Sequence, residues 1–241
     1  MRWGSLSANQ LKIIAVAAMV LDHTVALFVP YGTVWRPVLR CIGLVAAPTM
    51  CYIVAEGYHH TSNRIHYFGR LVLFALISHI PFNLSMGFDL SVLTATSVMW
   101  TLAMGLLALI IVKETSVHWC LRIVGLVLCC LLAYTANWNY IAVLWIVVFG
   151  LFHGHPQKQM IGFSLIGVVF HLGQKFKPLL LGEISVEEFA NWYQWGIFLA
   201  IPLMLSYNGK RGYQSQFVSK WFYWFYPAHL LVLYAVYQIV K

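Results

Sequence analysis

Charge is what this chain lacks most. Asp, Glu, Lys and Arg make up 9% of its 241 residues, where a soluble domain carries about 25%. So few charges cannot cover a water-facing surface. With 61% hydrophobic residues and a mean hydropathy of +0.77, the chain reads as an all-α, polytopic membrane helix bundle, because lone helices satisfy their own backbone in lipid. Apolar runs and short connections use up its length, so residues 1–241 are expected to form one transmembrane domain. Paired cysteines are missing too. Cys41, Cys51, Cys120, Cys129 and Cys130 lie mostly in apolar runs without metal-site spacing, which fits small core residues and gives no metal site. There is no glycine-rich phosphate loop, no internal repeat and no low-complexity tract. The first absence argues against a nucleotide cradle of the P-loop kind, the second against a transporter of two symmetric halves. No small-residue cleavage site follows the first apolar run, so that run is expected to be retained.

What is present is a series of runs at 11–30, 37–58, 67–86, 98–113, 118–134, 139–153, 159–173, 187–206 and 221–240. About nine spans are expected, with eight to ten allowed because several runs are short. Ser7 with Gln10 makes a capping box before the first helix, and Ser185 with Glu188 makes one before the eighth. The net charge of +8 is scattered through loops, so it sets topology and does not bind nucleic acid. With the N-terminus cytoplasmic, Arg2, Lys12, Arg64, Arg70, Lys113, Arg122, Lys158, Lys210, Arg211 and Lys220 fall inside. Arg36, Arg40, Lys175, Lys177 and Lys241 fall outside, and that bias favours this orientation.

The first span carries Asp22 and His23 near its middle. A carboxylate at that depth costs about 2.5 to 3.5 kcal/mol on insertion scales, so it demands a partner, a wet cavity or a function. Ala15, Ala18 and Ala26 share its helical face, which should therefore pack closely on a neighbour. His23 lies about 100° further round and cannot pair with Asp22. If it is a base, another helix must orient it. Asp22 lies about 12 Å below the outer surface and Arg40 about 6 Å below it, and Arg40 shares a stripe with Gly43 and Ala47. A buried Asp22–Arg40 pair is expected, with the alternative that it only locks two helices together.

His79, His171 and His229 also fall inside spans. His79 shares a face with Asn83 in SHIPFN, and His229 follows Pro227 and Tyr226 in WFYWFYPAHL. The connection EGYHHTSNRIHYFGR gathers Glu56, His59, His60, Thr61, Asn63, Arg64, His66 and Arg70 on the inner side. It reads either as a basic topogenic loop or as an anchor for a phosphorylated cytosolic donor.

These segments resemble the TraX family: LKIIAVAAMVLDHT, Leu39 and Arg40 with Gly43 and Pro48, AEGYHHTSN, RLVLFALISHIPFNL and the closing WFYPAHL. The resemblance runs through most of the chain and is most specific over residues 11–84 and 221–233. In the family an arginine often follows the helix-two glycine and a phenylalanine precedes the proline, whereas this chain has Leu44 and Ala47. Arg40 or Arg36 would then take that role. The resemblance implies a conjugative pilin N-acetylase-like protein of the inner membrane, within the wider group of transmembrane acyltransferases. Its acyl donor would be acetyl-CoA, with no metal. Its acceptor would be an amine or hydroxyl of a membrane or extracytoplasmic partner such as a pilin-like peptide, a lipid or a glycan.

On that reading His23 is the base, Asp22 holds Arg40, and Arg40 with His79 or Asn83 stabilises the developing oxyanion. Arg64, Arg70, His60, Thr61 and Asn63 meet the donor's phosphates, and Arg36, Glu56, Tyr226 and His229 meet the acceptor. Three competing readings are a proton-coupled transporter, a non-enzymatic assembly factor for surface structures and a haem carrier ligated by two of the buried histidines.

Overall fold

The computed structural model describes residues 4–180, 191–213 and 216–241, with side chains omitted at 173–180, 191 and 216–220. Arg2, the side chains of Lys175, Lys177 and Lys220, and the Ser185–Glu188 capping box lie outside the described residues. The fold is all helical, without a strand among the described residues. Helix α1 spans Ala8–Phe28. It starts where expected: the Gln10 side chain accepts from the Ser7 N–H at 2.8 Å while Ser7 Oγ accepts from Gln10 N at 3.4 Å.

The second span is not one helix. Helix α2 (Arg36–Gly43) and helix α3 (Ala46–His60) meet at Leu44 and Val45. Pro48 explains the interruption. It lacks an N–H, and its ring would strike the carbonyl four residues earlier, which belongs to Leu44. Gly43 adds a weak helix former at the same place.

Helix α4 (Arg64–Met86) follows, then α5 (Val98–Lys113), α6 (Trp119–Leu132), α7 (Asn139–Leu151) and α8 (Pro156–Leu180). A 3-10 segment over Asn191–Leu199 runs into α9 (Ala200–Leu205), and α10 (Gln216–Val240) closes the chain. Taking α2 with α3, and the 3-10 segment with α9, gives nine successive passes among the described residues. Three helical stretches, Ala8–Phe28, Arg36–His60 and Arg64–Met86, are long and apolar enough to cross a membrane by themselves. Helices α5, α6 and α7, with 16, 14 and 13 residues, reach only about 20 to 24 Å at 1.5 Å per residue, short of a core of about 30 Å. Helix α6 turns Leu121, Val124, Leu128 and Leu131 outward, a surface for lipid. Trp145, Phe149 and Phe163 fill the core from α7 and α8.

Call the end of the bundle where α1 begins proximal and the opposite end distal. Leu6 N–H donates to Ser206 O and Ala8 N–H to Lys210 O, both at 2.9 Å, which fastens the end of α9 beside the start of α1. Lys12, Arg64, Arg70, Lys113, Arg122, Lys158, Lys210 and Arg211 lie toward the proximal end, and Arg36, Arg40 and Lys241 toward the distal end.

The connection 87–97 is exposed over 87–94 and buried over Ala95–Ser97, where it meets the connection 133–138. They pair with each other, through Thr96 N–H to Thr135 O and Asn137 N–H to Thr96 O, both 3.0 Å. Irregular backbone is tolerated at membrane depth where protein or a wet cavity satisfies it. Asn137 and Trp138 of the second connection, and Val98 just after the first, line a cavity inside the bundle.

Candidate active site

That cavity holds about 50 Å³, room for one or two waters. Val16, Met19, Asp22 and His23 of α1 line it, with Gly43 and Leu44 at the α2–α3 break, Val98 and Met99 at the start of α5, Asn137 and Trp138 before α7, and Tyr226 of α10. Six helices start, end or pass there.

Asp22 and Arg40 meet beside it. Arg40 Nη1 lies 2.8 Å from Asp22 Oδ1 and donates to Asp22 O at 3.3 Å. The small-residue faces make this approach possible: Ala15 and Ala18 are buried, and a Cβ placed on Gly43 would lie 2.6 Å from Asp22 Cβ. Arg40 also sits over the Tyr193 ring, 5.6 Å from its centroid.

His23 turns away from Asp22, as a 100° offset requires, and finds His229. The two rings are 2.9 Å apart between His23 Nδ1 and His229 Nε2. Their centroids are 5.2 Å apart with planes 7° from parallel, so the rings lie edge to edge in nearly one plane, as an N–H···N bond needs. His229 Nδ1 is 3.1 Å from Phe225 O. A carbonyl only accepts, so that nitrogen donates. With both rings neutral, His229 Nε2 is then the acceptor, His23 Nδ1 is the donor, and His23 Nε2 keeps its lone pair. That nitrogen has no hydrogen bond among the described residues. The carbonyl of α10 thus fixes the tautomer of an imidazole on α1. The missing orienter of His23 is His229, which sequence reasoning had assigned to the acceptor. The direct N···N contact leaves no space for a porphyrin between these two rings, so this pair does not suit haem ligation.

His79 and Asn83 are not part of this cavity. His79 Nε2 is 2.9 Å from Leu90 O, and Asn83 Nδ2 reaches His79 and Ala95 O at 3.3 and 3.5 Å. They fasten the 87–97 connection to α4, and their expected role on the oxyanion does not fit this placement. Arg36 is also engaged elsewhere. Its Nη1 donates to Val25 O at 3.1 Å, a cation on the last carbonyls of α1, and its guanidinium lies over Tyr31. His171 is buried against Trp195, with ring centroids 5.5 Å apart, away from His23.

A second polar cluster sits at the proximal end. Glu56 is buried and its Oε1 accepts from His153 Nδ1 at 2.9 Å, with His60 Nε2 3.8 Å from Oε2. His153 stacks on His59 at 3.9 Å between centroids, and His59 Nε2 donates to Gly150 O. The sequence signal for His153 was HGH at the end of a span, and it was passed over. Arg64 lies over Tyr58 and Arg70 over Tyr67. Asn63 caps α4 through His66 N at 2.8 Å, and Thr61 follows the last residue of α3. The inner-side set is therefore gathered at one end, with Asn63 occupied by a structural bond. Among the described residues no group of three or more His, Cys, Asp or Glu side chains is placed to hold a metal ion.

Comparison with known proteins adds the family. No solved structure matches the chain. A curated relative, the probable fimbrial assembly protein FimC, serogroup H1, of Dichelobacter nodosus, is 30% identical over 241 residues and covers 94% of each chain. The sequence profile of the TraX protein family matches residues 7–237. That span takes in Asp22, His23, Arg40, Glu56 and His229 together, and the chain belongs to the TraX family.

Proposed function

We propose that this membrane protein is an acetyltransferase that takes acetyl groups from acetyl-CoA at its proximal face and delivers them to an amine or hydroxyl on a membrane or extracytoplasmic acceptor. The observation that carries this reading is the His229–His23 pair, an oriented imidazole with a lone pair at the edge of a small buried cavity. General-base catalysis by a placed group is worth about 10²- to 10⁴-fold. An imidazole with a fixed tautomer inside a bundle has the geometry for that task.

The chemistry balances on His23 alone. The acceptor's nitrogen or oxygen attacks the thioester carbon as its proton passes to Nε2. Collapse re-forms the carbonyl and expels the thiolate, which takes that proton back and leaves as the thiol. Asp22 and Arg40 hold α1 against α2 so that His23 keeps its place. The donor's phosphates belong with Arg64, Arg70 and His60, beside Thr61 and Asn63. Glu56, near them, is six residues beyond Met50, or about 9 Å along α3 from the cavity lining, a distance suited to an extended thioester arm.

The cationic bias toward the proximal end supports a cytoplasmic N-terminus, and an inner-membrane location follows from the donor. The relative's description as a fimbrial assembly protein makes a fimbrial subunit the first acceptor to try. Reconstituted protein is incubated with radiolabelled acetyl-CoA and fimbrial subunits or membrane extract, and the labelled product is identified by mass spectrometry. Label on a peptide, lipid or glycan is the expected result. Folded protein that transfers no label to any fraction refutes the reading and leaves an assembly factor without chemistry.

A further inference from the structure

Lys12 is a cation without a matching anion. It lies one turn inside the proximal start of α1, half-buried, and forms no ion pair among the described residues. Taking an ammonium out of water without a counter-charge is costly. Its Nζ stands over the Phe222 ring, 5.3 Å from the centroid, and a ring face offsets only a fraction of that cost.

The fold brings a second cation to the same place. Ala8 N–H donates to Lys210 O at 2.9 Å and Asn9 N–H to Arg211 O at 3.2 Å, which clamps this segment on the start of α1. Gly212, with φ 81°, lies so close to Ser7 that a Cβ there would be 2.6 Å from Oγ. Lys12 is three residues beyond Asn9 and shares its helical face, and Arg211 acts on it as a like charge. The Arg211 guanidinium also donates to His60 O at the end of α3. Glu56, the buried carboxylate at this end, serves His153 and His60. Two cations held together by backbone bonds, neither in an ion pair among the described residues, make a site for an anion of more than one charge.

Position says which anion. Val16, one turn beyond Lys12, and Phe222, beneath its ammonium, both line the cavity that holds His23. Lys12 and Arg211 therefore stand at the proximal rim of that cavity. We propose that they bind the diphosphate of the acetyl-CoA donor, whose thioester arm then runs along α1 past Val16 and Phe222 to His23. This rests on the acetyl-transfer reading and deepens it. Eleven residues separate Lys12 from His23, about 16 Å at a rise of about 1.5 Å per residue. Twelve bonds join the phosphate oxygen to the sulfur, about 14 Å when extended at about 3.5 Å per three bonds, and the thioester carbon is one bond further. Arg64 and Arg70 on α4 are left for the 3′-phosphate.

Binding of radiolabelled acetyl-CoA and acetyl-dephospho-CoA to the purified protein in detergent tests this, because the second donor lacks only the 3′-phosphate. Lys12→Met removes the charge and keeps the apolar stem. It is expected to raise Kd about 10- to 100-fold for both donors, the effect of one charged hydrogen bond, while Lys12→Arg binds nearly as the parent does. Arg211→Gln keeps a donor for His60 O and serves if Lys12→Met does not fold. A folded Lys12→Met protein with parental Kd for both donors overturns the proposal, as does a parent that binds neither. Weakened binding of acetyl-CoA alone puts the 3′-phosphate at Lys12 and overturns the diphosphate assignment. A parent that binds both donors with the expected loss in Lys12→Met, yet transfers no label to any acceptor, keeps the anion site and refutes only the transferase reading.

Discussion

Replacing His229 with leucine removes the acceptor for the His23 Nδ1 proton while keeping an apolar group of similar reach. The lost bond is a neutral contact of 2.9 Å, worth about 1 kcal/mol of stability. The larger effect is on the tautomer. A buried Nδ1–H without an acceptor costs about 1–3 kcal/mol, so the proton moves to Nε2 or the ring turns. Either change removes the lone pair from the cavity. The general-base contribution then disappears, a fall of about 10²- to 10⁴-fold in kcat, or about 2.7 to 5.4 kcal/mol in the barrier at 1.36 kcal/mol per tenfold. His229→Gln keeps a carbonyl acceptor and is expected to recover much of the rate. Initial rates of acetyl transfer measure the first effect. Nitrogen-15 spectra of histidine-labelled protein in detergent measure the second, with His23 expected to switch from the Nδ1–H to the Nε2–H form. A folded His229→Leu protein with parental kcat and an unchanged His23 tautomer refutes the relay.

Three further outcomes follow from the packing around Asp22. Asp22→Ala or Arg40→Ala alone leaves an unpaired charge at about one-fifth side-chain exposure, at a cost of about 3 kcal/mol, read as a lower unfolding midpoint in detergent. The double swap Asp22→Arg with Arg40→Asp is expected to recover part of that loss, and no recovery argues against direct pairing. Gly43→Ala forces a Cβ to within 2.6 Å of Asp22 Cβ and is expected to cost about 1–3 kcal/mol. An unchanged midpoint there means that α1 and α2 can part without penalty.

Length, hydropathy and capping made the helices legible, because membrane spans leave long unmixed signals. Ser7 and Gln10 marked where α1 starts, and depth with small-residue stripes gave the Asp22–Arg40 pair. The α2–α3 interruption was harder. Pro48 carries the reason, yet a proline one turn into a helix also marks an ordinary start, and only the packing at Gly43 distinguishes the two. The tautomer relay was out of reach. His23 and His229 are 206 positions apart, and periodicity says which face a side chain takes but not which helix it meets. His79 and Asn83 misled for the same reason: shared facing at i and i+4 was correct, but the partner was the connection that follows α4.

The most direct measurement is the rate at which label from acetyl-CoA reaches its acceptor in membranes carrying either the parent chain or His23→Gln at equal, verified abundance. An imidazole acting as the base predicts a drop of at least about 10²-fold with the protein still folded. Equal rates in the two membranes contradict it.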